Sequence, residues 1–280
     1  MTLPSYYDPA HVGTLYAPQV AAATQAGIAA GWPPAERDEE KVLLLLVDAQ
    51  VDFVHPDGNL AVPGAVEDTR RLVAWMYANM GRITHIAASL DSHLPLQIFF
   101  PTWWADAEGR HPNPYTVISA ADVAGGRWRP LMEPNWSRDY VRRLEEDARK
   151  QLMIWPYHVL IGTPGQTLVP ALFEAIAFHS AARKTQPEWV LKGTIPKTEH
   201  YSIFEPEIKV PEHPQGTLNT AFLDTLERYD LIYITGQAKS HCVLETTSSL
   251  MLYLQANERR DLIARVRLIE DTMSSVVHPE

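Results

Sequence analysis

Apolar positions along the chain follow two periodicities that alternate. Val42 to Val47 is an unbroken apolar run, the pattern of a central parallel strand covered on both faces. Gly64 to Met80 then shows helical spacing, with Val66, Leu72, Val73 and Met76 on one side. Thr84 to Ser89 predicts a second strand. After a Pro- and Trp-rich interruption come a charged helix over Ser137 to Gln151 and a short strand around Leu152 to Trp155. The remaining pattern predicts a helix over Thr167 to Ser180, a strand over Glu188 to Leu191 and a helix over Asn219 to Arg228. A strand over Asp230 to Thr235, a helix over Val243 to Ala256 and a last strand over Val266 to Ile269 complete the set. Six strands alternating with helices predict an α/β protein with a doubly wound parallel sheet. Residues 1–40 lack a strand pattern and are expected to form an N-terminal arm with one short helix near Ala17 to Ala30. Residues 41–280 form one domain that carries an insert over 97–152.

Parallel α/β sheets bind ligands outside the carboxyl ends of their strands. Asp48, Asp91, Lys192 and Cys242 each follow a predicted strand, so four reactive side chains gather at one sheet edge. No Gly-rich dinucleotide or phosphate loop follows any strand, so no nucleotide cofactor is expected. Cys242 is the only cysteine and lies on the turn from a strand into a helix. A lone Cys is most often a small buried hydrophobe. At a helix N-terminus, however, free N–H groups and the helix dipole stabilise a thiolate, lowering the thiol pKa from roughly 8.5. The same amides can stabilise an oxyanion beside the sulfur. Asp48, at a strand end among apolar neighbours, suits proton transfer, and Lys192 can stabilise both thiolate and carboxylate.

Asp91-Ser92-His93 places a carboxylate and an imidazole two residues apart, on one side of an extended segment. His158 can complete a two-His, one-carboxylate set with open positions, suited to zinc, with iron and manganese as alternatives.

Composition narrows the classes. The chain has 280 residues, enough for one full core, and a formal charge of -10. That balance argues against a nucleic-acid or acidic-membrane surface. One cysteine forms no intrachain disulfide, and the first residues lack a basic-then-apolar signal pattern, so the cytoplasm is the expected compartment.

The motifs Asp-x-Gln-x-Asp-Phe, Asp-x-His, Trp-Pro-x-His with Gly-Thr-Pro-Gly, Lys-Gly and His-Cys-Val stand in this order over about residues 41–275. The set resembles the nicotinamidase branch of the isochorismatase-like cysteine hydrolases. The resemblance implies a three-layer α/β/α sandwich with a six-stranded sheet and a triad of Asp48, Lys192 and Cys242. It implies a divalent metal on Asp91, His93 and His158, and an oxyanion hole from the amides of Ala238 and Cys242. Phe53 and Trp155 match the aromatic pair around the substrate ring, Gln237 is counted among the substrate contacts, and Gln237-Ala238 matches a non-proline cis peptide. The implied reaction is hydrolysis of nicotinamide or another small aromatic carboxamide. Two alternatives remain: a cysteine hydrolase of an aliphatic, ureido or maleamate-like amide, and a non-catalytic binding protein on the same fold.

The chain departs from the family at two places. The position that supplies a fourth protein ligand in some relatives is Phe99, which cannot coordinate. The insert carries Phe99-Phe100-Pro101-Thr102-Trp103-Trp104 and is expected to act as a lid or subunit contact, the latter making a homo-oligomer.

Overall fold

A computed structural model describes residues 3–277. Its centre is a parallel sheet of β1 (Val42–Val47), β2 (His85–Asp91), β3 (Glu188–Lys192), β4 (Leu231–Gly236) and β5 (Val266–Leu268), in the spatial order β3-β2-β1-β4-β5. All six residues of β1 are buried, as an apolar run in the middle of a doubly covered sheet requires. Helices cover both faces: α1 (Val20–Ala29), α2 (Ala65–Asn79), α3 (Pro134–Glu146), α4 (Pro170–Arg183), α5 (Thr220–Thr225) and α6 (Leu244–Ala256). Leu44 and Leu46 of β1 point into one core with α2 and α4, while Leu43, Leu45 and Val47 point into a second core with α6. The alternation follows from the two-residue period of a strand.

The sheet has five strands among the described residues, and not the six expected. Leu152–Met153 is too short to join it. It pairs antiparallel with Val117–Ile118 of the insert, because the chain turns at once into Trp155-Pro156. The insert also differs from a surface excursion. Phe99, Phe100, Trp103 and Trp104 are all buried, and Trp103 Nε1 donates to Ser137 Oγ of α3 at 2.9 Å. These four aromatics are used inside the chain, while Val117, Leu131 and Met132 of the insert stay exposed.

The segment 3–40 is tied to α4. Tyr16 hydroxyl donates to Glu174 Oε2 (3.2 Å), Gln19 N donates to Glu174 Oε1 (2.8 Å), and Arg183 of α4 pairs with Asp38. Ala23 of α1 is fully buried, and Gly27 lies against the backbone of α4. No helix among the described residues is long and apolar enough to cross a membrane.

The α1–α4 contact is close enough to depend on a missing side chain. A Cβ at Gly27 would collide with the Phe178 carbonyl oxygen and come within 3.0 Å of Ala181 Cβ. Gly27→Ala is therefore expected to loosen α1, lowering stability by about 1–3 kcal/mol, despite alanine's better helix propensity. Chemical denaturation measures this; a more stable variant would show that α1 does not pack as described.

Candidate active site

The site is built from loops that leave the carboxyl ends of β1, β2, β3 and β4. Asp48 follows β1 directly and turns the chain with a φ of 45°. Its carboxylate is fully buried, and Ser89 Oγ of β2 donates to its Oδ1 at 2.6 Å. Lys192 ends β3 and is 1% exposed, so its ammonium must be matched by charge. The match is double: Nζ lies 2.9 Å from Asp48 Oδ2 and 3.1 Å from Asp91 Oδ1. Nζ also donates to the His200 carbonyl at 2.8 Å and approaches Cys242 Sγ at 3.7 Å. Burial opposes the charge on Lys192, but the two carboxylates outweigh it and hold its pKa well above the usual value.

Cys242 lies in a π-helical turn, Lys239–Val243, that feeds into α6. Ala238 precedes this turn, and the Gln237–Ala238 peptide bond is cis. The ligand atoms of Asp48, Asp91 and Cys242 lie within 4.8 Å of one another. The expectation of a lowered thiol pKa is corrected here. Burial pushes the Cys242 thiol up; Lys192 opposes this, and Asp48 and Asp91 add to it. Burial also raises Asp48, against Lys192. Both groups are thus held toward their neutral forms, and a proton passed from one to the other would leave the buried charge unchanged.

Asp91 and His93 come from the end of β2 and His158 from the loop before α4. Their ligand atoms lie within 4.8 Å of one another, and all three residues are buried. His93 Nδ1 faces the Gly193 carbonyl at 3.1 Å, and His158 Nδ1 faces the Pro156 carbonyl at 2.7 Å. A carbonyl only accepts, so each Nδ1 carries the hydrogen; against burial, Asp91 raises the pKa of His93, and each ring in its neutral form leaves a lone pair on Nε2. His93 Nε2 then points its lone pair 3.0 Å from Asp91 Oδ2 and has no hydrogen-bond partner. Two lone pairs converging in a buried space fit a bound cation. Burial, with His93 beside it, lowers the pKa of His158 to about 3, keeping it neutral as a ligand must be.

Neighbouring segments hold these ligands. His93 N donates to the Val159 carbonyl (3.1 Å), and Ile161 N donates to the His93 carbonyl (3.0 Å), joining the two ligand loops. Val159, a β-branched residue at φ 42°, is held there by Asp52, whose Oδ2 accepts from Val159 N at 2.6 Å. Gly165 gives room for that carboxylate, since a Cβ would overlap it. Gln50 Oε1 accepts from Asp91 N (2.8 Å), and its Nε2 donates to the Asp91 carbonyl (2.7 Å). The motifs Asp-x-Gln-x-Asp-Phe and Gly-Thr-Pro-Gly therefore fix the loops that carry Asp91 and His158 as well as carrying Asp48. Phe99 packs on the His93 ring with centroids 4.7 Å apart, filling the place where a fourth ligand was sought.

A cavity of about 20 Å³ lies over these groups, lined by Phe53, Asp91, Trp155, His158, Ala238 and Cys242. Every proposed site residue except four reaches it. Asp48, Lys192 and His93 stand behind it. Gln237 is turned away: its Nε2 donates to Asp68 Oδ2 of α2 at 3.0 Å. Sequence reasoning placed Gln237 among substrate contacts; the structure gives it to the support of the loop. Conversely, Glu199, Tyr201 and His241 line the cavity and were not foreseen. Glu199 and Tyr201 lie in the irregular stretch after β3, where no periodicity marks an inward residue. Tyr201 accepts from Trp155 Nε1 at 3.1 Å and orients that ring.

No protein-family model and no curated protein sequence matches the chain. Solved structures do match. The yeast nicotinamidase superposes with a TM-score of 0.55 at 20% identity, over 84% of this chain and 89% of that one. A nicotinamidase/pyrazinamidase of Acinetobacter baumanii gives 0.54 at 20%, over 86% and 88%. The chain has the nicotinamidase fold. A yeast nicotinamidase bound to the inhibitor nicotinaldehyde gives 0.53 at 19% identity, over 85% of this chain and all of that one. At such identity the nicotinamidase fold is what these likenesses establish.

Gly193 shows how tightly the fold holds the cluster. It sits at φ 81°, and a Cβ there would overlap Asp91 Oδ1 and come within 2.9 Å of His93 Nδ1. Gly193→Ala is expected to displace both groups and weaken divalent-metal binding by roughly 10- to 100-fold, the range for disturbed outer-shell partners. Metal titration by calorimetry tests this; wild-type affinity in the variant would remove Asp91 and His93 from the ligand set.

Proposed function

We propose that the chain is a metal-dependent cysteine amidohydrolase that converts nicotinamide and water to nicotinate and ammonia. The observation that carries the reading is one shared ammonium. Lys192 joins the Cys242–Asp48 pair to the Asp91–His93–His158 cluster, and both open on one cavity walled by Phe53 and Trp155. The nicotinamidase fold of the solved structures above supports it, as does the nicotinaldehyde bound to one yeast nicotinamidase, an aldehyde analogue of the amide.

The reaction follows from the groups present. Asp48 takes the Cys242 proton, and the sulfur attacks the amide carbon. The oxyanion that forms sits beside the turn between Ala238 and Cys242, whose N–H groups donate to it. Asp48 returns the proton to the departing nitrogen as the C–N bond breaks, leaving a thioester on Cys242 and free ammonia. A water then loses its proton to Asp48 and attacks the thioester, releasing the acid and restoring the thiol. Lys192 keeps its charge throughout and balances whichever of sulfur or carboxylate is negative. Asp91, His93 and His158 would hold a divalent cation, zinc first by donor set, with iron or manganese as alternatives. When bound it supplies Lewis-acid positioning of the ring nitrogen, or of a water beside it. Phe53 and Trp155 would hold the ring's faces.

Ammonia release from nicotinamide by purified protein tests the reading. Turnover is expected, with loss of activity on chelation and its return with divalent metal. Cys242→Ala is expected to lower kcat by on the order of 10³-fold or more while keeping the metal. A folded, metal-loaded protein inert toward nicotinamide would overturn the substrate. Unchanged turnover in Cys242→Ala would overturn the mechanism.

A further inference from the structure

The catalytic cavity has a neighbour. A second cavity of about 310 Å³ shares Trp155, Glu199, Tyr201 and His241 with it as a common wall. The inner space, about 20 Å³, holds little more than a single water. The outer one is on the scale of a small-molecule site, from about 300 Å³ upward. A ring seated against Trp155 must displace part of the shared wall, and a substituent directed past Glu199 would lie in the outer cavity.

The outer cavity is acidic where it meets that wall. Lys150 Nζ lies 2.6 Å from Glu207 Oε2 and 2.8 Å from Glu245 Oε1, so its one charge is already shared between two carboxyls. Glu199 adds a third. It is 4% exposed, its Oε2 has no hydrogen-bond partner, and it faces both cavities. Its backbone is fixed on two sides. Glu199 N donates to Tyr140 Oη of α3 at 3.0 Å, and its carbonyl accepts from Glu207 N at 2.9 Å. Burial, partly offset by His93, raises its carboxyl pKa to about 8. A buried polar atom without a partner in an otherwise satisfied wall marks a place for a ligand group.

We propose that the outer cavity is a second substrate subsite, which takes a basic, hydrogen-bond-donating substituent on the ring of an aromatic carboxamide, with Glu199 as its acceptor at the junction. The proposal rests on the amidase reading and extends it to larger amides than nicotinamide. An anionic substituent would meet Glu199 and Glu245 on the lining, where the charge of Lys150 is already shared between Glu207 and Glu245, and is disfavoured on charge. The insert gains a role by this account, because Val117, Tyr140 and Lys150 all belong to it.

Kinetics with three amides test the subsite: nicotinamide, a nicotinamide with an aminoethyl chain on its ring, and the carboxyethyl counterpart. The aminoethyl amide is expected to exceed the carboxyethyl amide in kcat/KM by roughly tenfold or more. Val117→Trp, a change to a 40% exposed residue that lines the outer cavity, is expected to cut the aminoethyl-to-nicotinamide ratio by a similar factor. Glu199→Gln is expected to narrow the amine preference mainly through KM. Hydrolysis of nicotinamide without hydrolysis of either larger amide, or equal rates for the two, overturns the subsite and leaves the amidase reading standing. Silence on all three overturns the amidase reading. Calorimetry on the Cys242→Ala protein then decides the subsite by binding alone: tighter binding of the aminoethyl amide supports it, and no preference overturns it.

Discussion

A single buried ammonium organises this molecule. Lys192 cannot be taken out of water without compensating charge, and the fold supplies Asp48 on one side and Asp91 on the other. The pairing fixes the ends of β1, β2 and β3 relative to one another. It also leaves the cluster one negative charge in excess while the two imidazoles and the thiol are neutral. A divalent cation on Asp91, His93 and His158 would reverse that sign and favour a thiolate on Cys242. Removing one partner of such a buried set costs about 3–5 kcal/mol, so the arrangement serves stability and chemistry together.

The loops around the ammonium are held by polar groups that do no chemistry. Gln50 clamps the backbone of Asp91 through both ends of its amide, and Asp52 holds Val159 beside His158. Gly165 and Gly193 are required because side chains there would occupy the volume of those carboxylates. Gln237, through Asp68 of α2, does the same for the turn before Cys242. The aromatic insert adds a further support, with Phe99 packed at a tilt against His93 and Tyr140 fixing Glu199.

Much of this was legible in the sequence, for physical reasons. A strand covered on both faces must be apolar throughout, which makes Val42–Val47 plain and places Asp48 at its end. Short motifs at strand ends mark Asp91, His93, Lys192 and Cys242 because parallel strands deliver their carboxyl ends to one edge, whereas His158 was marked by its own Trp-Pro-x-His motif. Leu152 to Trp155 misled because four apolar residues before Pro156 satisfy a strand pattern, whereas only Leu152–Met153 is extended and paired, outside the central sheet. The thiol's pKa misled because a helix N-terminus is visible in sequence, whereas burial beside Asp48 and Asp91 is not. Glu199 was invisible, since nothing in an irregular segment distinguishes a buried carboxyl from a solvated one. Gln237 was placed by its neighbour, Ala238, although its side chain points the opposite way.

The claim at the centre of the account is an acyl group carried on Cys242. Product partitioning in the presence of hydroxylamine tests it most directly, with nicotinamide and methyl nicotinate as alternative substrates. A common thioester requires the same ratio of nicotinohydroxamate to nicotinate from both, because the leaving group has gone before the acceptor attacks. Ratios that differ between the two substrates, or turnover with no hydroxamate at any hydroxylamine concentration, would mean that water attacks the amide directly and that Cys242 is not the nucleophile.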